Sequence, residues 1–131
     1  MIQASLRIVP PAGKWIELRN VMRSLKGPTE VSHGCCECRV LQDAADEGAL
    51  TYLVQWESLT KLEEHIRSAR FRKLLPYIET SVQPPEFDVS SIDRIGGIES
   101  LIAVLDSNTG GGAAPKSPNP ELTISRPNDQ S

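Results

Sequence analysis

The sequence predicts a single α+β domain followed by a C-terminal tail. The hydrophobic period switches repeatedly between two and about 3.6 residues before Asp106, which indicates alternating strands and helices. From Ser107 onward Gly, Pro, Ser and Asn dominate, and such a segment buries too little apolar surface to offset the entropy of ordering it. A chain of 131 residues also leaves little room for a second core. We therefore expect one domain over residues 1–105 and a disordered tail over residues 106–131.

The first two elements are predicted to be a strand and a helix. Apolar residues occupy alternate positions from Ile2 to Ile8, which is typical of a strand with two different faces. From Lys14 the apolar residues fall at helical spacing. We expect this helix to end at Gly27-Pro28, because glycine is flexible and proline lacks a backbone N–H.

The next stretch reads as a β-hairpin. His33 to Leu41 predicts a second strand, and Leu50 to Trp56 predicts a third that is rich in β-forming residues. The acidic stretch Asp43 to Gly48 between them predicts the turn.

A longer helical region follows the hairpin. Ser58 is placed to cap its first turn, because a serine hydroxyl accepts hydrogen bonds from unpaired backbone N–H groups. The apolar stripe then continues from Leu59 to Ile78. Pro76 lies inside the stripe and is expected to kink or divide the helix there.

The last elements are a fourth strand and a short helix. Phe87 and Val89 alternate with acidic residues after Pro84-Pro85, and prolines at its start suit an edge strand. Ile98 to Leu105 matches an amphipathic helix packed against the domain, with a fifth strand as the alternative.

The resulting order βαββαβ predicts a ferredoxin-like fold with an extra C-terminal helix. Its four-stranded antiparallel sheet would carry both main helices on one face. In so small a domain, a second copy related by two-fold symmetry is expected to cover the other face. The sequence thus predicts a homodimer.

Composition and charge exclude several classes of partner. The formal net charge is −3 with acids and bases mixed along the chain, so we expect no binding to nucleic acid. No apolar run approaches the ~18 residues of a membrane span, and the N-terminus lacks an export signal. We therefore expect a cytoplasmic protein without membrane contact. No glycine-rich phosphate loop follows a strand, so no nucleotide cofactor is expected.

The segment from Tyr52 to Ile78, YLVQWESLTKLEEHIRSARFRKLLPYI, resembles the antibiotic biosynthesis monooxygenase family of dimeric α/β-barrel proteins. The shared features are a strand ending in Trp56, a helix carrying His65, and Ser68 with Phe71 leading into a second helical segment. The order of elements extends the similarity over roughly residues 2–105.

This resemblance implies a homodimer with a pocket between sheet and helices in each subunit. Characterised members of the family oxidise polyphenolic or quinol-like compounds with molecular oxygen and use neither metal nor flavin. A related branch degrades haem, but its asparagine and its iron-binding histidine are absent here, where Ser5 and Leu75 stand. The resemblance therefore implies a cofactor-independent monooxygenase acting on a small aromatic or quinol-type compound.

The resemblance also selects candidate site residues. Trp56 would line the pocket, and His65 would remove a phenolic proton, because imidazole titrates near neutral pH. Substrate contacts are expected from four further side chains: Ser5, Arg7, Tyr52 and Phe71. The alternative is a non-catalytic dimeric module that binds a ligand or a partner, in which Trp56 and His65 only fill the core.

Three cysteines form a separate feature of the second strand. Strand geometry predicts that Cys36 and Cys38 share one face and that Cys35 points away, and no further ligand pair has zinc-site spacing. We therefore expect no metal and mostly buried thiols. A third hypothesis for function is a thiol-based redox sensor, which requires an exposed, reactive cysteine.

Overall fold

The structure is a computed structural model that describes residues 1–111 of the chain. These residues belong to two units, Met1–Asp93 and a second unit that begins at Arg94. The strands of the first unit are β1 (Ile2–Ile8), β2 (Cys35–Gln42), β3 (Leu50–Trp56) and β4 (Glu86–Ser91). Its helices are α1 (Trp15–Glu30), α2 (Leu59–Ile66), α3 (Ala69–Arg72) and α4 (Leu75–Glu79).

The four strands form one antiparallel sheet in the order β2-β3-β1-β4. This arrangement confirms the predicted ferredoxin-like α+β fold. The strand β4 pairs with β1 and lies at one edge of the sheet. The prolines precede its first paired residue, so their missing N–H groups do not interrupt the pairing.

One face of the sheet carries the core. Alternate residues of the central strands point to this face and are buried, because a strand turns successive side chains to opposite sides. The sheet contributes Ala4, Leu6, Ile8, Cys38, Leu50, Tyr52, Val54 and Trp56. The helices contribute Leu18, Met22, Leu25, Leu62, Phe71 and Leu74. The helices therefore cover the face that the period-two pattern predicts to be apolar.

The first helix is longer than predicted. The expected end at Gly27-Pro28 is wrong, because α1 passes through both residues and ends at Glu30. A proline in the last turn removes only one intrahelical hydrogen bond, and Thr29, which is fully buried, anchors this turn to the core. The turn closes where the N–H of Val31 donates to the carbonyl of Gly27.

The second helical region is divided into three pieces. As predicted, the Ser58 hydroxyl caps α2 by accepting from the N–H of Lys61 at 3.2 Å. The Ser68 hydroxyl caps α3 in the same way, accepting from the N–H of Phe71. The division expected at Pro76 occurs just before it, and Pro76 lies in the first turn of α4, where a missing N–H has no cost.

The second unit contains the helix α5 (Ile98–Gly111). The prediction that a helix begins at Ile98 is thus confirmed, and the helix continues six residues beyond the predicted end at Leu105. Its large apolar side chains are exposed, so its packing against the domain stays a prediction. Most of the predicted tail, residues 112–131, lies outside the described residues.

Candidate active site

Four aromatic rings form a cluster at the centre of the core. Tyr52 and Trp56 lie on the helix-covered face of β3, and His65 of α2 packs over both rings. The ring centre of His65 is 5.0 Å from that of Trp56 and 6.1 Å from that of Tyr52. Phe71 of α3 meets the imidazole edge-on at 5.6 Å. The fold thus brings together the two predicted catalytic residues and two of the predicted substrate contacts.

A chain of hydrogen bonds fixes the imidazole. The Tyr52 hydroxyl is 3.2 Å from Nε2 of His65 and 3.2 Å from the hydroxyl of Thr29. With the imidazole proton on Nε2, His65 donates to Tyr52 and Tyr52 donates to Thr29. In that tautomer Nδ1 of His65 keeps its lone pair; in the other, Tyr52 donates to Nε2 and Nδ1 carries the proton. Tyr52 is 1% exposed, so it orients His65 from inside the core instead of facing a ligand.

Burial sets the protonation of these groups. His65 is 3% exposed, and burial, reinforced by the positive charge of Arg70, lowers its pKa from 6.5 to about 4. The imidazole is therefore neutral at physiological pH. Burial also raises the pKa of Tyr52 far above its ordinary value, so its hydroxyl keeps its proton.

A small cleft opens beside Trp56 and His65. It has a volume of about 230 Å³ and is lined by Ser32, His33, Trp56, Lys61, Glu64, His65, Ser68 and Arg70. Three buried atoms of these residues have no hydrogen-bond partner among the described residues: Nδ1 of His65, Nε1 of Trp56 and Nε of Arg70. Buried polar atoms are almost always paired, so these three atoms make the cleft the candidate site for a polar ligand.

An apolar cleft lies on the other side of Phe71. Its volume is about 260 Å³, and its lining is Leu6, Ile66, Phe71, Ile78, Pro85 and Phe87. Phe71 therefore touches His65 with its ring and forms part of this apolar cleft. Of the predicted substrate contacts, Phe71 lines this apolar cleft.

The remaining two predicted contacts lie elsewhere. Ser5 and Arg7 are on the opposite face of the sheet, since they alternate with the buried residues of β1. Arg7 is held there by carboxylates, with Nη2 3.0 Å from Oδ2 of Asp46 and Nη1 3.6 Å from Oε2 of Glu86. The structure does not bring these two residues to the His65 cleft.

The predicted orientation of the cysteines is wrong. A β-bulge leaves Cys36 without a partner on β3, because Cys35 pairs with Trp56 and Glu37 pairs with the next residue, Gln55. The extra residue shifts the alternation, so Cys35 and Cys38 face the core while Cys36 is exposed. Burial raises the pKa of both core thiols. Among residues 1–111, no group of three histidine, cysteine or acidic side chains is placed to hold a metal ion.

Two residues of the site were not predicted. Arg70 was not among the predicted site residues, but it lines the cleft at the start of α3, where its Nη2 donates to Ser32 Oγ at 2.8 Å. Thr29 was missed because the sequence placed it beyond the end of α1. For Arg70, the sequence signal was Ser68: a serine at a capping position indicates that a new helix begins there and changes the direction of the following side chains.

The fold and the cleft define a ferredoxin-like α+β protein with room for a small molecule. A family model described as antibiotic biosynthesis monooxygenase matches residues 1–76. The match covers more than half of the chain, and the protein belongs to the antibiotic biosynthesis monooxygenase family. No curated protein sequence matches it. Among the described residues, no helix is both long and apolar enough to cross a membrane.

Solved structures share the fold. A conserved protein from Methanosarcina mazei Go1 is 26% identical, with a TM-score of 0.63 over 70% of this chain and 92% of that one. Rv0793 from Mycobacterium tuberculosis is 21% identical, with a TM-score of 0.64 over 72% of this chain and 98% of that one. A structure named antibiotic biosynthesis monooxygenase is 16% identical, with a TM-score of 0.63 over 72% of this chain and all of that one.

Proposed function

We propose that the protein is a cofactor-independent monooxygenase that oxidises a small aromatic or quinol-type compound in the cleft beside Trp56 and His65. One observation carries this proposal: Trp56 and His65, each 3% exposed, line the same cleft, and each has a buried polar atom without a hydrogen-bond partner within the described part of the chain. A cavity of roughly 150 Å³ already accepts benzene, so about 230 Å³ suits a compound of one or two rings. The family name and the monooxygenase name of one solved neighbour support the same chemistry.

His65 would act as the base. A phenolic hydroxyl of the substrate donates to Nδ1 of His65 and transfers its proton there. The resulting anion reduces molecular oxygen, and a carbon–oxygen bond forms at an activated ring carbon. Cleavage of the oxygen–oxygen bond leaves one atom on the substrate as a carbonyl, and the second leaves as water with two substrate hydrogens. The substrate supplies all the electrons, so the step balances without a second reductant.

The low pKa of His65 makes this proton transfer uphill but feasible. A phenol has a pKa of ~10, so transfer to a group with a pKa of about 4 costs about 8 kcal/mol. Attraction between the imidazolium and the phenolate at about 4 Å offsets about 4 kcal/mol of this cost at an effective dielectric constant near 20. The remainder is small beside the barrier of about 17 kcal/mol for a reaction that occurs about once per second. Arg70, whose Nε is unpartnered, would stabilise the phenolate further.

We expect the protein to form a homodimer. Proteins of this family are commonly dimeric small-molecule binders. The half-buried polar face that carries Ser5 and Arg7 is the surface that a second copy would cover. Sedimentation velocity at micromolar concentration would test this: a monomer at every concentration would contradict it.

Oxygen consumption tests the enzymatic proposal. The wild-type protein would be given dihydroxynaphthalenes, anthrones and quinols in an oxygen electrode, beside the variants His65→Ala and Trp56→Phe. Leu62→Ala is the matched control, because it removes a buried side chain of the same helix that does not line the cleft. We expect His65→Ala to lose at least about a hundredfold of the rate, and Leu62→Ala to keep it. If no compound is consumed but one binds, the protein is a ligand-binding module; equal rates in His65→Ala and wild type would refute the site.

A further inference from the structure

A third cleft lies between α1 and the ends of β2 and β3 that the hairpin turn joins. It has a volume of about 430 Å³, which is in the usual range of small-molecule sites. The residues that line it are Trp15, Arg19, Arg23, Lys26, Val40, Leu41, Gln42 and Leu50. The four α1 residues fall on one stripe of the helix because they are spaced by three or four positions. None of them takes part in the His65 cleft described above.

The polar atoms of this cleft are mostly hydrogen-bond donors. Nε1 of Trp15 and Nε of Arg19 are buried, and neither has a partner among the described residues. An indole nitrogen and a guanidinium nitrogen can only donate hydrogen bonds. The guanidinium carbon of Arg19 lies 5.5 Å from the centre of the Trp15 ring, which keeps the two groups side by side. The ligand atom that fits this pair is therefore one that accepts hydrogen bonds, such as a carboxylate oxygen.

The charge of the cleft points to the same kind of ligand. Three lining residues are cationic and none is acidic, although the whole chain has a net charge of −3. Lys26 is paired with Glu30 at 2.7 Å, whereas Arg23 forms no ion pair within the described part of the chain. Beside its contact with the Trp15 ring, the Arg19 guanidinium donates to the Asn20 side chain at 3.2 Å and forms no ion pair among residues 1–111. Two arginines are thus available to an anion.

Part of the rest of the lining is apolar, and the one polar side chain in it, Gln42, donates to the carbonyl of Glu47. Val40 lies on the face of β2 that α1 covers, and the half-buried ring of Trp15 lies on α1. These two side chains offer a hydrophobic surface to a ring. A ligand that satisfies both sides has an apolar, planar body and one oxyanion. We propose that this cleft is a second binding site, distinct from the His65 cleft, for an aromatic carboxylate held by Trp15, Arg19 and Arg23.

Proton–nitrogen correlation NMR tests this proposal with two matched probes, naphthoate and the uncharged naphthalenemethanol. The chain has two tryptophans, so two indole N–H signals report the two clefts separately, and Trp15→Phe assigns them. We expect naphthoate to shift the Trp15 signal, and the alcohol to shift it far less. Added salt should weaken naphthoate binding, because the site is charged.

Two double variants complete the test. Arg19→Gln with Arg23→Gln should weaken naphthoate binding on the order of tenfold, because it removes the charge-assisted hydrogen bonds. Arg67→Gln with Arg72→Gln removes the same net charge from exposed positions outside the cleft and should leave the affinity within about twofold. Equal binding of acid and alcohol, an unmoved Trp15 signal, or equal loss in both double variants would overturn the proposal. A shift of the Trp56 signal alone would place the ligand in the His65 cleft.

Discussion

A buried neutral histidine makes the stability of the protein depend on pH. The pKa of His65 is about 4 in the folded protein, against an ordinary value of 6.5 in the unfolded chain. Between these values the unfolded chain binds a proton that the folded protein does not. Stability is therefore fully present above 6.5 and is lost as the pH falls toward 4.

The size of the loss follows from the two pKa values. A difference of about 2.5 units corresponds to about 3 kcal/mol once the pH is below both values. Between about pH 7.5 and about pH 5, where most carboxylates are still ionised, the loss due to His65 is about 2 kcal/mol. Because the side chain is 3% exposed, solvent screening does not erase this effect.

Urea denaturation of three proteins at both pH values measures this contribution. His65→Gln removes the titrating ring but keeps an amide that can donate to Tyr52. Between about pH 7.5 and about pH 5, the variant should therefore lose about 2 kcal/mol less unfolding free energy than wild type loses. His33→Gln, at the chain's exposed other histidine, should behave like wild type. Equal losses in wild type and His65→Gln would show that the imidazole is not held neutral in the core.

Three further predictions concern the packing around the site. Tyr52→Phe leaves Thr29 and His65 without their shared partner and should reduce the free energy of unfolding by about 1–3 kcal/mol in chemical denaturation; an unchanged value would mean that the hydrogen-bond chain does not form. Ser58→Ala removes the cap of α2 and should cost about 1 kcal/mol, whereas Ser58→Asp should restore most of it. In the native protein, iodoacetamide should label exposed Cys36 first and buried Cys38 only after unfolding, as read by peptide mass; early labelling of Cys38 would contradict the bulge.

Local patterns predicted the elements well because each has a local cause. The alternation in β1 and β3 encodes which face is buried, and the Ser58 hydroxyl marks the start of α2. The end of α1 was wrong because Thr29 is held by a contact with Tyr52, which is distant in sequence. Tertiary contacts override local propensity in this way.

The candidate site was predicted only in part for the same reason. The resemblance located Trp56 and His65, and the fold does bring them together. It could not show that Ser5 and Arg7 lie across the sheet, although the alternation in β1 contained that information. The orientation of the cysteines depends on the bulge at Cys36. The bulge shifts the phase of the alternation, but the three positions carry the same residue type, so the sequence does not reveal the shift.

The proposed role of His65 is to initiate oxygen chemistry in its cleft. We would incubate the protein with a dihydroxynaphthalene under isotopically labelled molecular oxygen and analyse the product by mass spectrometry. We expect a product with one labelled oxygen atom, formed rapidly by wild type and by Leu62→Ala but only at the background rate by His65→Gln. Unlabelled product, or labelled product formed equally fast by His65→Gln, would contradict it.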